Sequence, residues 1–253
     1  MAMLANHHAL VTGGGTGIGA AIAQALAGAG AAVSLAGRRK APLDAVAASL
    51  QKATAVTADV TRETDCAAMV EAARAANGPI DIVIANAGMA ESAPAGKIDL
   101  GHWQRMIDVN LTGAFLTVRA ALSDVTRGSK GRIVFVASTA GLKGYPYVAA
   151  YCAAKHGVVG LMRALSVELA GKGVTVNAVC PGYTETPLLE ASVDRISAKT
   201  GRSAADARAE LAKDNAHGRL ITPEEVAQTV LWLCSPAAQS VNGQAIVVAG
   251  GPL

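Results

Sequence analysis

The chain lacks the marks of nucleic-acid-binding, secreted and membrane proteins. Only 16% of its 253 residues are charged, and the formal net charge is +3. Lysines and arginines are scattered, so the basic stripe of a nucleic-acid-binding surface is absent. No apolar run is long enough to cross a bilayer, and residues 1–8 carry neither the basic nor the apolar segment of a signal peptide. We therefore expect a cytoplasmic protein that binds neither nucleic acid nor membrane.

The chain also lacks the cysteine and histidine spacings of metal sites. Its four cysteines include no C-x-x-C pair and its five histidines form no cluster, so we predict no metal site. The cysteines are Cys66, Cys152, Cys180 and Cys234. We interpret them as buried small side chains in a reducing compartment, and a redox role for Cys152 is the less favoured alternative.

Strand and helix patterns alternate along the chain, which is 51% hydrophobic and suits one well-buried domain over residues 1–253. The predicted strands lie at about 8–12, 32–36, 54–58, 80–85, 131–137, 173–180 and 244–248. The predicted helices lie at about 17–30, 40–51, 62–76, 100–126, 148–170 and 223–234. This order predicts an α/β fold, a single-domain Rossmann fold with a doubly wound, mostly parallel seven-stranded sheet and helices on both faces.

A glycine-rich turn follows the first predicted strand. The sequence Thr12-Gly-Gly-Gly-Thr-Gly-Ile-Gly19 enters an alanine-rich helical pattern, and we take Gly13, Gly17 and Gly19 as its principal glycines. Glycines in this position let the backbone approach a phosphate, and the helix N-terminus favours the negative charge. A turn without a ligand is the alternative, and the strand before and helix after the turn disfavour it.

Tyr151 and Lys155 form a Y-x-x-x-K pair on one face of a predicted helix, thirteen positions after Ser138. We expect the ammonium to lower the pKa of the phenol. Such a tyrosine exchanges a proton with a carbonyl or an alcohol oxygen near neutral pH. Two polar residues at this spacing more often mark a solvated face, so the pair depends on the rest of the chain for support.

Together these residues resemble the short-chain dehydrogenase/reductase family in its compact single-domain form, over essentially the whole chain. Thr12 to Gly19 matches the family's T-G-x-x-x-G-x-G loop, and Pro181-Gly182 with Thr186 matches its P-G-x-x-x-T segment. Further matches are Asp59-Val60, Asn86-Ala87-Gly88, Asn110, Ser138, Tyr151, Lys155, Asn242-Gly243-Gln244 and Gly250-Gly251. The chain departs from the family at Ala85, where an asparagine is usual, and at Ala249, where an aspartate is frequent.

The resemblance implies catalytic roles for Asn110, Ser138, Tyr151 and Lys155. Ser138 would polarise the substrate oxygen, Tyr151 would exchange the proton, and Lys155 would also hold the nicotinamide ribose. Asn110 would support a water that links Lys155 to solvent. The implied cofactor-binding residues are Gly13, Thr16, Gly17, Ile18, Gly19, Arg38, Arg39, Asp59, Val60, Asn86, Ala87, Gly88, Tyr151, Lys155, Pro181, Gly182, Thr184 and Thr186.

The end of the second strand bears on the choice of cofactor. An acidic residue there would bind the ribose 2′-hydroxyl of NAD, but the chain has Gly37 followed by Arg38 and Arg39. Arginines suit a 2′-phosphate, so we favour NADP(H) over NAD(H). Two solvated arginines are the alternative, and Thr16 counts against NADP because relatives that prefer it often carry a basic residue there.

Residues 184–217 interrupt the alternation with an amphipathic helical stretch. We interpret it as a substrate lid, because long insertions in compact domains are usually functional; a helical hairpin that supports a subunit contact is the alternative. The predicted substrate residues are Ser138, Tyr145, Tyr151, Leu188 and Leu189. Two long alanine-rich helices further predict a homo-oligomer, and by resemblance a homotetramer.

The resemblance leaves the substrate open. Reduction of a 3-oxoacyl thioester, the reverse of 3-hydroxyacyl dehydrogenation, is slightly favoured over oxidation of a free secondary alcohol or sugar. A nicotinamide-binding regulator without activity is a third possibility, which the presence of both Tyr151 and Lys155 disfavours.

Overall fold

A computed structural model describes residues 2–128 and 130–253 and places one parallel sheet at the centre of the molecule. Its seven strands run in the order β3-β2-β1-β4-β5-β6-β7. They are β1 (His8–Thr12), β2 (Ala32–Gly37), β3 (Ala53–Thr57), β4 (Ile82–Ala85), β5 (Arg132–Val136), β6 (Thr175–Pro181) and β7 (Ala245–Val248). The order reverses between β1 and β4, so the predicted doubly wound sheet is confirmed, and its strands are all parallel.

Helices cover both faces of this sheet. They are α1 (Gly17–Gly28), α2 (Lys40–Ala48), α3 (Glu63–Asn77), α4 (Leu100–Ile107), α5 (Gly113–Val125), α6 (Ala149–Leu169), α7 (Pro187–Thr200), α8 (Ala204–Ala212) and α9 (Pro223–Cys234). One apolar core joins the sheet to α3, α5 and α6, and a second joins it to α1, α2 and α9. Strand residues alternate between these cores: in β5, Phe135 belongs to the first and Val134 to the second.

The helix predicted over 100–126 is not continuous. A π-helical turn, Asp108–Thr112, separates α4 from α5. The buried Asn110 side chain lies in this turn, where its Nδ2 donates to the carbonyl oxygens of Met106 and Met89, at 3.0 Å each. Its Oδ1 accepts from the Met89 backbone N–H at 3.2 Å. The wider turn thus ties the helix to the loop after β4, a contact that helical periodicity alone does not reveal.

Residues 184–217 form α7 and α8, which pack on each other around a small core of their own. Leu189 and Val193 from α7 meet Ala207 and Leu211 from α8. Leu188 on α7 lies outside this small core and is exposed. Among the described residues, no helix has the length and apolar character that crossing a membrane requires.

Candidate active site

A cavity of about 1200 Å³ opens at the carboxyl ends of the strands. Every residue that the sequence assigns to catalysis, cofactor or substrate lines this cavity. The sheet explains the convergence, because parallel strands end on the same edge and the crevice beside a reversal of strand order is the usual ligand site of such folds. The cavity wall also includes Met89 and Tyr183, which the sequence does not single out, and the basic residues Arg195 and Lys199 of the 184–217 segment.

The glycine-rich turn leads from β1 into α1 and leaves the helix N-terminus uncapped by a side chain. Thr16 occupies the N-cap position but makes no side-chain capping hydrogen bond. Gly13 has φ of +66°, in the left-handed region, and a Cβ on Gly19 would overlap the Gly13 carbonyl. The free amide groups and the bare glycine surface therefore fit the diphosphate of a dinucleotide.

Thr12 and Asn86 fasten the glycine-rich turn to the loop after β4. The Thr12 hydroxyl accepts from the backbone N–H groups of Asn86 and Ala87, at 3.1 and 3.2 Å. The Asn86 amide in turn donates to the Thr12 carbonyl oxygen at 2.8 Å. These bonds fix the glycine-rich turn and the loop after β4, two walls of the cavity, relative to each other.

At the end of the cavity beside β2 and β3, a carboxylate lies near an arginine. Burial would raise the pKa of Asp59, but hydrogen bonds from Thr61 and the charges of Arg38 and Arg62 hold it below its usual value. Arg38 and Arg39 are exposed, and no carboxylate of residues 2–128 and 130–253 forms a salt bridge with either of them. Their charges are therefore available to an anion at this end.

The residues Ser138, Tyr151 and Lys155 meet beyond the end of β5. Ser138 caps a short 3-10 turn, and its Oγ accepts from the Ala140 backbone N–H at 3.1 Å. Tyr151 lies in the first turn of α6 and Lys155 one turn later, with its Nζ 5.7 Å from the centre of the tyrosine ring. Lys155 is only 4% exposed, and its ammonium donates to the Val136 carbonyl oxygen at 2.9 Å.

Burial governs the titration of this pair. It lowers the pKa of Lys155 to about 8 and raises the pKa of Tyr151 to about 12, against an opposing effect of the Ser138 hydroxyl. The sequence-based expectation of a lowered tyrosine pKa is therefore wrong for the protein on its own. Desolvation outweighs the ammonium charge, and that ammonium is directed at the Val136 carbonyl.

Two tyrosines, Tyr145 and Tyr183, form another part of the cavity wall. The Tyr145 hydroxyl is hydrogen-bonded to Thr139 Oγ1 at 2.8 Å, and its ring meets the Tyr183 ring edge to face at 6.2 Å. Burial raises the pKa of Tyr183 to about 12, and the nearby Asp214 adds to the shift. Sequence analysis missed Tyr183, although it stands between the predicted Gly182 and Thr184.

Asn215 is a second residue that sequence analysis missed. It is buried, and its side chain accepts from the Tyr183 backbone N–H at 3.0 Å and donates to the Tyr183 and Arg219 carbonyl oxygens at 2.9 and 2.7 Å. It thereby fixes the end of the α7–α8 segment to the loop after β6. No motif marks it, and only the folded contact shows its role.

Comparison with known proteins identifies the family. The model of the short chain dehydrogenase family matches residues 7–196. The chain belongs to the short-chain dehydrogenase/reductase family. It is 41% identical to the cis-4-hydroxycyclohexanecarboxylate dehydrogenase of Sinomonas cyclohexanicum, over 96% of this chain and 95% of that one. It is 37% identical to a putative ketoacyl reductase of Streptomyces coelicolor, again over 96% and 95% of the two chains.

A solved structure agrees with this assignment. The chain is similar to a variant of the actinorhodin polyketide ketoreductase with NADPH, with a TM-score of 0.92 and 36% identity over 97% of this chain and 96% of that one. This short-chain dehydrogenase/reductase is therefore an oxidoreductase that acts on secondary alcohols or ketones with a nicotinamide cofactor. The family resemblance seen in the sequence is confirmed.

Replacement of Lys155 by methionine tests the cost of the buried charge. Below pH 8 the folded protein holds an ammonium that burial disfavours, so Lys155→Met should raise the free energy of unfolding at pH 7.5 by roughly 1–3 kcal/mol, since one pKa unit corresponds to about 1.4 kcal/mol. Turnover should be lost. Urea unfolding is the measurement.

The sign of the pH dependence provides a second check. Because the folded pKa lies below the unfolded one, wild-type stability should rise between about pH 8 and pH 10, and Lys155→Met should lack this rise. The exposed Lys52 offers the matched control, since Lys52→Met should leave the rise intact. A less stable Lys155→Met with wild-type pH dependence would contradict the assignment.

Proposed function

We propose that the protein is an NADP(H)-dependent reductase of a 3-oxoacyl thioester. The observation that carries this proposal is one cavity of about 1200 Å³ that joins Ser138, Tyr151 and Lys155 to the glycine-rich turn. A cavity for a single small ligand is usually below about 1000 Å³, so this one has room for a dinucleotide and an extended substrate. The similarity to ketoacyl reductases supports the same substrate class.

The cofactor site is proposed from the same walls. The uncapped start of α1 would hold the diphosphate, Asp59 and Val60 would contact the adenine, and Lys155 would hold the nicotinamide ribose. The remaining proposed contacts are Asn86, Ala87, Gly88, Pro181, Gly182, Thr184 and Thr186. When bound, the nicotinamide supplies or accepts the hydride.

The chain's own residues then manage the substrate oxygen. Ser138 donates a hydrogen bond that polarises the carbonyl, and Tyr151 donates the proton that completes the alcohol. The high pKa of Tyr151 keeps the phenol protonated at neutral pH, as the reductive direction requires. The Lys155 charge next to the ring favours the phenolate that this transfer leaves. Lys155 would then restore the proton of the phenol, and a water supported by Asn110 would return one proton from solvent to Lys155.

We further propose that α7 and α8 act as the substrate lid. Leu188 and Leu189 on α7 would enclose the acyl chain together with Tyr145, which lines the same cavity. The alternative role, support of a subunit contact, is disfavoured because seven residues of α7 from Leu188 to Thr200 line the cavity.

Oxidation of a free secondary alcohol is the second candidate. The similarity to the hydroxycyclohexanecarboxylate dehydrogenase of Sinomonas cyclohexanicum favours it. The change in nicotinamide absorbance at about 340 nm distinguishes the two candidate functions. The assay offers 3-oxoacyl thioesters with NADPH or NADH, and free secondary alcohols with NADP⁺ or NAD⁺. Turnover of alcohols alone would replace the first proposal by the second, and cofactor binding without any turnover would indicate a regulator.

Replacement of Tyr151 by phenylalanine tests the proton transfer. The ring still packs and only the hydroxyl is lost, so kcat should fall by about 100- to 10,000-fold while the Kd of NADPH stays nearly unchanged. Stopped-flow turnover and quenching of protein fluorescence by NADPH are the two measurements. A variant that keeps more than about a tenth of wild-type kcat would refute the assignment.

The double substitution Gly37→Asp and Arg38→Ala tests the preference for NADP(H). A Cβ on Gly37 would meet only the Leu43 side chain, at 3.7–3.8 Å, so aspartate fits. The carboxylate would accept the free 2′-hydroxyl, and loss of the Arg38 bond to a 2′-phosphate should shift the kcat/KM ratio toward NADH by roughly ten- to a hundred-fold.

Arg62→Ala serves as the matched control, because Arg62 is close to Asp59 but does not line the cavity. Its ratio of kcat/KM with NADPH to that with NADH should equal the wild-type ratio. A wild type that already prefers NADH, with no shift in the double variant, would mean that both arginines are solvated surface residues.

We also propose a homotetramer. Leu100 and Trp103 on α4, Phe115 on α5 and Val167 on α6 are exposed large hydrophobic side chains, with 78%, 39%, 39% and 80% of their surface accessible. Closed two-fold assembly would bury them. Sedimentation at micromolar concentration should show a tetramer, and a monomer alone would contradict this proposal.

A further inference from the structure

The cavity-lining face of α7 changes from apolar to cationic along the length of the helix. It begins with Leu188 and Leu189, continues through Ser192, and ends with Arg195, Ile196, Lys199 and Thr200. The spacing of three to four residues keeps these side chains on one stripe of the helix. The stripe is thus apolar at its first turn and cationic at its last two turns.

The two cations of this stripe lack a carboxylate partner. No salt bridge joins Arg195 or Lys199 to an acidic side chain of residues 2–128 and 130–253. Arg195 is half-buried, and its one hydrogen bond to protein in the described part of the chain is a long contact of 3.4 Å to the Ala191 carbonyl oxygen of its own helix. A guanidinium that lines the cavity without a counter-charge is available to an anion, with which it would form charge-assisted hydrogen bonds. Lys199 is exposed on the same face.

The acidic residues on the same part of the wall do not balance these charges. Glu210 is paired with Lys213 at 3.0 Å, and Glu190, which does not line the cavity, is paired with Arg208 at 2.6 Å. Asp214 remains, and it lies close to Tyr183 rather than within salt-bridge distance of either cation. The end of the cavity beside the last turns of α7 therefore carries an excess of positive charge.

We propose that Arg195 and Lys199 bind an anionic group at the far end of the substrate, and that this group sets substrate specificity. The inference rests on the proposed oxidoreductase site and narrows its substrate to a ketone or alcohol with a remote anion. A guanidinium binds carboxylate and phosphate through paired hydrogen bonds, and the neighbouring ammonium adds a second charge.

Helix geometry limits where the anion lies. At a rise of about 1.5 Å per residue, Arg195 is roughly 10 Å and Lys199 roughly 16 Å along the helix from Leu188. An anion at this distance is separated from the reacting carbon by an intervening chain or ring. The phosphate of a pantetheine thioester and the carboxylate of a cyclic or longer oxo acid share this chemistry.

Two matched pairs of substrates distinguish a pantetheine phosphate from a carboxylate as the bound anion. Acetoacetyl-coenzyme A is compared with the neutral acetoacetyl thioester of N-acetylcysteamine, and 4-oxocyclohexanecarboxylate is compared with its neutral ethyl ester. The variants are Arg195→Gln, Lys199→Gln and the double variant. Arg202→Gln is the matched control, because it removes the same charge from the same segment at an exposed position outside the cavity.

The expected result is a selective loss. The wild type should prefer the anionic member of at least one pair, and each single variant should lower kcat/KM for that member by about ten-fold or more, mainly through KM. The neutral member and the Arg202→Gln control should change by less than about two-fold. The pair that responds identifies the phosphate or the carboxylate as the anion.

Equal losses on charged and neutral members would overturn the inference and would indicate that the cations hold the segment closed, for example against Asp214. Variants that behave like Arg202→Gln would overturn it as well. In both cases the proposed function would stand, because the wild type would still turn over ketones.

Calorimetry keeps the test independent of turnover. The anionic members should bind the complex of protein and NADP⁺ more tightly than the neutral members, and the difference should shrink with added salt and in the double variant. If no member is reduced, the proposed function fails and this binding difference still decides the role of Arg195 and Lys199. Equal binding of the charged and neutral members would overturn the proposed role of Arg195 and Lys199.

Discussion

The buried ammonium of Lys155 is the constraint around which the site is built. It is almost fully shielded from bulk water, and the Val136 carbonyl oxygen at the end of β5 accepts a hydrogen bond from it. A charge in this position is costly, and proteins keep such groups where chemistry needs them. Two neighbouring glycines, which have no Cβ, leave room for Lys155. A Cβ on Gly88 would lie 3.6 Å from Lys155 Nζ and 2.9 Å from Asn110 Oδ1. A Cβ on Gly141 would lie 2.7 Å from the Lys155 carbonyl oxygen.

Much of the fold can be predicted from local patterns in the sequence. Apolar strands separated by helices predict the parallel sheet, and the turn from Thr12 to Gly19 predicts where its ligand edge lies. The Tyr151–Lys155 pair and Ser138 could be placed together because the strand before Ser138 ends at that edge and the helix that carries Tyr151 begins there. These predictions depend on local sequence and on the general geometry of parallel sheets.

The features that the sequence did not reveal depend on contacts between distant segments. The π-helical turn around Asn110 exists because its amide bonds to Met89, which is 21 residues away in the chain. Asn215 acts through the Tyr183 backbone, 32 residues away. The raised pKa of Tyr151 has a similar origin, since the sequence shows the nearby charge of Lys155 but not the degree of burial that outweighs it.

Two parts of the cavity hold positive charge that the protein itself compensates poorly. Within residues 2–128 and 130–253, Lys155 has only a neutral carbonyl partner and Arg195 has only a long contact to its own helix. Both side chains are therefore available to form hydrogen bonds with polar or anionic ligand groups. The two groups lie on different elements, Lys155 on α6 and Arg195 on α7, and both line the same cavity. A ligand that spans both would therefore bring the two elements together, which couples recognition of its remote end to the position of its reacting oxygen.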